Sequence, residues 1–477
     1  MPALRRVPVV LTTTAALALL GGAGAAPLAA AQSTGGDRCL TAGPLPAARP
    51  AVPLRFGITP QLAGSAGAAQ LPVAPEDDGR ALAALQGLRV PGSELVLRLN
   101  RMFWSDGSAG IARYAALVDR YEAAGFKTEL QVRYHPPEGR EGDIEGWLAY
   151  VREAVATFAQ RRSVVELSIT NEANLPLSPN TSDGVYDGVI DALVRGVDVA
   201  RAELDRRGRP DVKLGFTYAH RYTPDADSAF FKAIGKAATP GFRRGLDHVG
   251  LQLYPGLFFP PATSDAPGDV VEALNLLRTC WMPQAGLGPE VGIWISENGY
   301  PTRGAVNEAQ QAADLTRTLA AVHTVSGTLG VTDYRYFNLR DNRSTGADLF
   351  DAVGVLFDDY RPKQAYGALR AGIERYAPPA AASAPAAARR TPPALRLVVR
   401  PSRVRRDRPT RVTFSARTAT GPAAGARVVV DRRTVRTSRT GKATLRLRLD
   451  GRPGLRTVRV TLAGHRAGAA RLRVVAR

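Results

Sequence analysis

Eight short apolar or β-branched runs, each followed by a longer amphipathic stretch, recur over about 330 residues of this chain. The runs are PLRFGIT (53–59), ELVLRLN (94–100), KTELQVRYH (127–135), VVELSIT (164–170), VKLGFTY (212–218), HVGLQLY (248–254), VGIWISE (291–297) and DYRYFNL (333–339). Between them, helical periodicity marks 111–124, 144–159, 186–206, 270–279, 308–325 and 363–376. Gly125 follows the first of these stretches, where a left-handed C-cap residue belongs. Eight strand–helix units in series predict a closed parallel (β/α)8 TIM barrel over 51–377. An open doubly wound sheet is the alternative, but its Gly-rich turn after the first strand is missing: GITPQLAG (57–64) is not G-x-G-x-x-G.

The chain is not all barrel. PPAAASAPAAARRTPP (378–393) has no apolar periodicity and reads as a semi-extended linker. Beyond it, 394–477 carries short alternating runs at 395–399, 411–416, 426–430, 443–449, 456–462 and 470–475, the pattern of a small all-β, immunoglobulin-like sandwich. The charge divides at the same point. The net charge of +20 resides in 394–477, where 23 basic residues meet only Asp407, Asp431 and Asp450; the remainder is neutral. The charge therefore says nothing about the substrate of the larger part. At the N-terminus, Arg5 and Arg6, an apolar stretch from Val7 to about Leu20, and Ala29-Ala30-Ala31 compose a secretory signal over 1–31, leaving 32–50 as an N-terminal segment. No other segment is apolar enough to cross a bilayer, and a secreted, cell-wall-associated monomer is expected. In an exported chain, Cys39 and Cys280 form one disulfide or remain two thiols.

Reactive groups in such a barrel come from the C-terminal ends of its strands. Two apolar runs end on glutamate: the fourth in Asn171-Glu172, the seventh in Glu297. A carboxylate closing an apolar run is costly unless employed. Paired carboxyls are what glycosidic cleavage needs. One protonates the leaving oxygen; the other stabilises or captures the cationic sugar carbon. At a separation of about 5–5.5 Å the second attacks directly and configuration is retained.

At these residues the body resembles the clan A glycoside hydrolases, which include families 5, 39 and 1. The resemblance rests on Asn171-Glu172 at strand four, on SENG (296–299) around Glu297 at strand seven, on VLRLNRMFW (96–104), on the 115–137 segment, and on GVLFDDYRPKQAYGAL (354–369). It implies a retaining β-glycosidase with a carbohydrate substrate and no cofactor or metal. Glu172 would be the acid/base and Glu297 the nucleophile. Arg98 and Tyr254 would support Glu297, and His135 would stand at the cleft rim. Two departures stand out. Asn-Glu-Pro is replaced by Asn-Glu-Ala173, and the Trp common at the end of strand eight is replaced, with Phe337 in its place. Phe keeps an apolar platform for a sugar ring but lacks the indole donor.

Other residues carry two readings each. Trp104 is a sugar platform or a core residue. Asn298 and Asn338 contact sugar hydroxyls or hold loops. His220 is a candidate for the cleft wall. His248, Trp147 and Trp281 read as structural, and strand alternation turns Trp294 away from Glu297, under the helices. Schiff-base chemistry would need a lysine at a strand end, but Lys127 and Lys213 start their strands. Metal-dependent hydrolysis would need clustered histidines, and the five here are scattered. The remaining rival is a non-catalytic carbohydrate-binding barrel. The basic terminal unit reads as an adhesion module for anionic envelope polymers or acidic polysaccharide, or as a solvated stalk. It lacks the aromatic set of a nucleic-acid binder.

Overall fold

The computed structural model describes residues 39–60, 74–221, 223–257, 265–303, 306–346, 348, 350–378, 395–418, 421–431, 433–449, 453–462 and 468–476. The expected signal peptide and all but the first residue of the expected linker lie outside them. The chain divides into two compact units, Met1–Pro379 and Ala380–Arg477.

In the first unit, β1 (Arg55–Ile58), β2 (Leu95–Phe103), β3 (Lys127–Arg133), β4 (Val164–Ile169), β5 (Lys213–Ala219), β6 (His248–Leu253), β7 (Gly292–Asn298) and β8 (Val331–Tyr336) pair in chain order. β8 closes on β1 in parallel register, Phe56 with Tyr334 and Ile58 with Tyr336. This is the (β/α)8 barrel. Alternate strand residues such as Val249, Leu251, Ile293 and Ile295 point outward and join one core with the surrounding helices. The helix caps follow from local chemistry. Asp143 and Asn307 accept the backbone N–H three residues on, at 2.9 Å each. Gly125 (φ 83°) and Gly330 (φ 70°) adopt the left-handed conformation that ends a helix.

The barrel interior is charged where alternation would permit apolar filling. Arg335 of β8 reaches across to Glu129 of β3 (3.0 Å) and Glu166 of β4 (2.7 Å), and Arg55 pairs with Asp333 at 2.8 Å. Buried charges persist when each has a partner, so this alternating chain is self-neutralising. Trp294 is part of it, which corrects the alternation argument. It stacks on His248 at 3.3 Å and lies beside Arg55 and Arg335, inside the barrel rather than under the helices. The cause is the irregular register of β7 beyond Ile295, which lets Trp294 and Glu297 share the inner face.

Cys39 and Cys280, for which a disulfide and two thiols were both expected outcomes, stand as two thiols in contact. They are neighbours: burial and the hydrogen bond to Cys39 push the Cys280 thiol up to about 12. The pair sits at the strand-start end, since nearby Arg278 donates to the carbonyls of Leu329 and Val291, just ahead of β8 and β7.

In the second unit, β9 (Arg396–Arg400), β11 (Thr410–Arg417) and β14 (Lys442–Leu447) form one sheet. The other holds β10 (Arg403–Arg405), β16 (Gly468–Val475), β15 (Gly454–Thr461), β12 (Arg427–Val430) and β13 (Arg433–Arg436), in that order. Residues from both, among them Val412, Phe414, Val428, Val458 and Leu472, share one core. The six expected runs all become strands; β10 and β13 are additions too short to show period two.

Candidate active site

Glu297, near the end of β7, is 6% exposed and held on both oxygens. Arg98 of β2 donates to Oε1 at 2.5 Å, and the Tyr254 hydroxyl, just past β6, donates to Oε2 at 2.6 Å. Arg98 is itself fixed. Its Nε lies 3.3 Å from Glu129, and its Nη2 donates to Gln131 and, at 3.3 Å, to Asn171. Burial, and then the Glu297 charge, hold the Tyr254 hydroxyl well above its usual range, so it remains a donor. The two donors fix the orientation of the carboxylate.

Glu172 sits in the opposite environment. Burial, and then the neighbouring Glu297 carboxylate, push it up to about 8, against the opposing pull of Arg133 and Arg98. Gln252 of β6, with its amide nitrogen turned to Glu172 Oε1, donates there at 2.7 Å and accepts from Arg98 at 3.0 Å. Two carboxyls thus share one cavity, Glu297 bonded on both oxygens and Glu172 pushed up to about 8, the kind of contrast that separates an acid from its partner carboxylate.

The backbone carrying Glu172 is strained. Thr170 (φ 66°) and Glu172 (φ 45°) both occupy the left-handed region, at a cost of about 1–3 kcal/mol each. Asp183 offsets it. Fully buried, it accepts from Arg133 Nε at 2.7 Å and from the backbone N–H of Tyr134 and Asn171 at 2.8 Å each. It thereby ties the turn after β4 to the end of β3. Asp183→Ala would leave Arg133 buried without its carboxylate, and the barrel is expected to lose about 3–5 kcal/mol of stability. All four tryptophans lie before residue 295, so denaturation followed by their fluorescence reports this unit alone. A loss under about 1 kcal/mol would refute the tie.

The cavity over the two glutamates encloses about 210 Å³. Asn171, Tyr254, Gln252, Phe337 and Phe350 line it near the carboxyls; Arg101, Arg133, His220 and Arg221 extend its wall. Arg98, Asn171, Tyr254 and Phe337 thus converge with Glu172 and Glu297. His220 lines the cavity, and burial lowers it to about 3, so it is neutral. The Phe337 ring packs edge-on to Tyr254, 6.2 Å between centroids.

Three expected site residues lie elsewhere. Trp104 is 3% exposed and stacks on Tyr134 at 5.8 Å; the bulge in β2 beyond Leu99 and the short helical turn Trp104–Asp106 carry it into the core. The same bulge brings Asn100 and Arg101 to the cleft. Asn298 is fully buried, donating to the Leu253 carbonyl at 3.0 Å and accepting from the Tyr334 hydroxyl at 2.6 Å, so it holds the strand ends rather than a sugar. His135 stands outside the cavity lining, its Nδ1 2.9 Å from the Ser105 hydroxyl. Conversely, Gln131, Gln252 and Asp183 were not anticipated. The two glutamines lie within β3 and β6, with no local motif to single them out.

Structures of similar chain path include a beta-glucosidase from Thermotoga maritima (TM-score 0.48, 13% identity, covering 69% of this chain and 99% of that one). A GH5_18 protein from Streptomyces cattleya in complex with Manb1-4GlcNAc scores 0.48 at 16% identity, covering 68% and 81%. A family 39 glycoside hydrolase from Bacteroides cellulosilyticus scores 0.45 at 14%, covering 83% and 79%. No protein-family model matches the chain, and a search of curated proteins finds no relative.

Proposed function

We propose that this protein is a retaining glycoside hydrolase acting on β-glycosidic bonds by double displacement. The observation that carries the reading is the contrast between two carboxyls in one cavity: Glu297 held by Arg98 and Tyr254, Glu172 pushed up to about 8. Protonated Glu172 delivers its proton to the leaving oxygen as Glu297 attacks the sugar carbon, forming a glycosyl ester. Esterification removes the Glu297 charge, which is the second-largest cause of the raised Glu172 pKa. Glu172 then becomes acidic enough to serve as the base that activates water. Phe337 and Phe350 supply an apolar platform for the sugar ring. The N-terminal apolar stretch supports export, and we read the terminal all-β unit as immunoglobulin-like.

The test is the configuration of the first product. Hydrolysis of an aryl β-glycoside panel, followed by proton NMR before mutarotation, is expected to show the β-anomer. Initial release of the α-anomer would reject double displacement, and no turnover across the panel would reject the reading itself.

A further inference from the structure

On the five-stranded sheet of the terminal all-β unit, arginines take about half of the outward positions, alternating with residues such as Leu455, Thr457 and Thr461. On the five-stranded sheet, inward residues such as Val404, Val428, Val458, Leu472 and Val474 are buried, so their alternating neighbours face out. Register then places the charges. Arg403 lies directly opposite Arg473, and Arg427 opposite Arg436. Arg405, Arg459 and Arg471 lie on the same face, and all seven are exposed. None forms an ion pair among the described residues. The unit's two described carboxylates are engaged elsewhere: Asp407 accepts from Arg406 at 2.8 Å, and Asp431 lies 4.0 Å from Arg456.

A solvated sheet surface ordinarily interleaves both signs, because like charges directly across a strand pair repel. Here two such pairs stand on one face with no described carboxylate on it, and the three-stranded sheet carries two more, Arg411 opposite Arg446 and Arg417 opposite Arg396. Five strands spaced about 4.8 Å apart make it roughly 19 Å wide, enough to engage several units of an extended polymer. Arginine forks match carboxylate or sulfate oxygens two at a time. We propose that this face binds an acidic polysaccharide. A nucleic acid fits less well: stacking platforms are needed for exposed bases, and the unit's one described aromatic, Phe414, is buried in the core.

The test uses the full chain carrying Glu297→Gln, so that no substrate is consumed. Its affinity is measured for polygalacturonate, for a neutral β-glucan and for duplex DNA, at low and moderate salt. Arg403, Arg473, Arg427 and Arg436 are replaced by Gln together. A second variant removes equal charge from the other sheet, at Arg396, Arg400, Arg411 and Arg446. We expect salt-sensitive binding of polygalacturonate above both other ligands, weakened about tenfold in the first variant and less than about threefold in the second. Equal weakening in both would show net charge alone and overturn the face. So would absence of binding at low salt, equal binding of the neutral glucan, or tighter binding of DNA. Thermal melting shows that the variants fold; the first is expected to melt no lower than its parent, because repulsion has been removed.

Discussion

Glu297→Gln is expected to lower kcat on every glycoside the enzyme turns over by on the order of 10⁴-fold or more, with the fold intact. Glutamine fills the same space but cannot form the glycosyl ester. The fold is expected to survive because Arg98, the buried cation that loses a partner, keeps Glu129 at 3.3 Å and its bonds to Gln131 and Asn171. The same substitution carries a second, independent reading. The Glu297 charge is second only to burial in holding Glu172 up at about 8. Removing it should bring the Glu172 pKa down toward the ordinary carboxylate range, measurable by NMR titration of the labelled side chain. Turnover within about tenfold of wild type would remove Glu297 from the nucleophile's role. An unmoved Glu172 would show that the two carboxyls do not sense each other and that the acid is set by burial alone.

The barrel and its two glutamates were legible because both depend on short-range pattern. Alternating runs specify strands, closure brings every strand end to one rim, and a glutamate ending an apolar run is therefore delivered to the cleft. What escaped depends on features the pattern does not encode. Trp294 was misassigned, and Trp104 left between two readings, because single-residue irregularities in β2 and β7 reverse the phase of alternation. Asp183 joins the site from the short helical turn Asp183–Val185, twelve residues beyond Asn171, and nothing local announces the path that buries it. Gln131 and Gln252 look like any polar residue in a strand until the opposite wall of the barrel supplies Arg98, Thr217 and Glu172. Asn298 shows the converse. It belongs to a suggestive motif, yet the Tyr334 hydroxyl and the Leu253 carbonyl already occupy both ends of its amide.

Glu172→Ala separates the two half-reactions that its environment assigns to one side chain. With a substrate whose leaving group is a poor one, such as another sugar, loss of the proton donor should slow glycosylation by about 10²–10⁴-fold. With a dinitrophenyl glycoside the leaving group departs unaided, so the ester on Glu297 forms at nearly the normal rate and then persists for want of a base. A burst of dinitrophenol followed by a slow steady state is the expected trace. Azide, small enough for the space left by the carboxyl and needing no deprotonation, should restore turnover and yield the β-glycosyl azide. The pH profile provides the sign. If Glu172 is the acid, wild-type kcat/KM requires it protonated, and activity is expected to fall as pH rises through about 8. That alkaline limb should vanish in Glu172→Ala for the activated substrate, whose first step no longer involves the proton. If the limb survives unchanged, another group carries the acid, and the strained turn that Asp183 holds at the end of β4 serves some purpose other than presenting it.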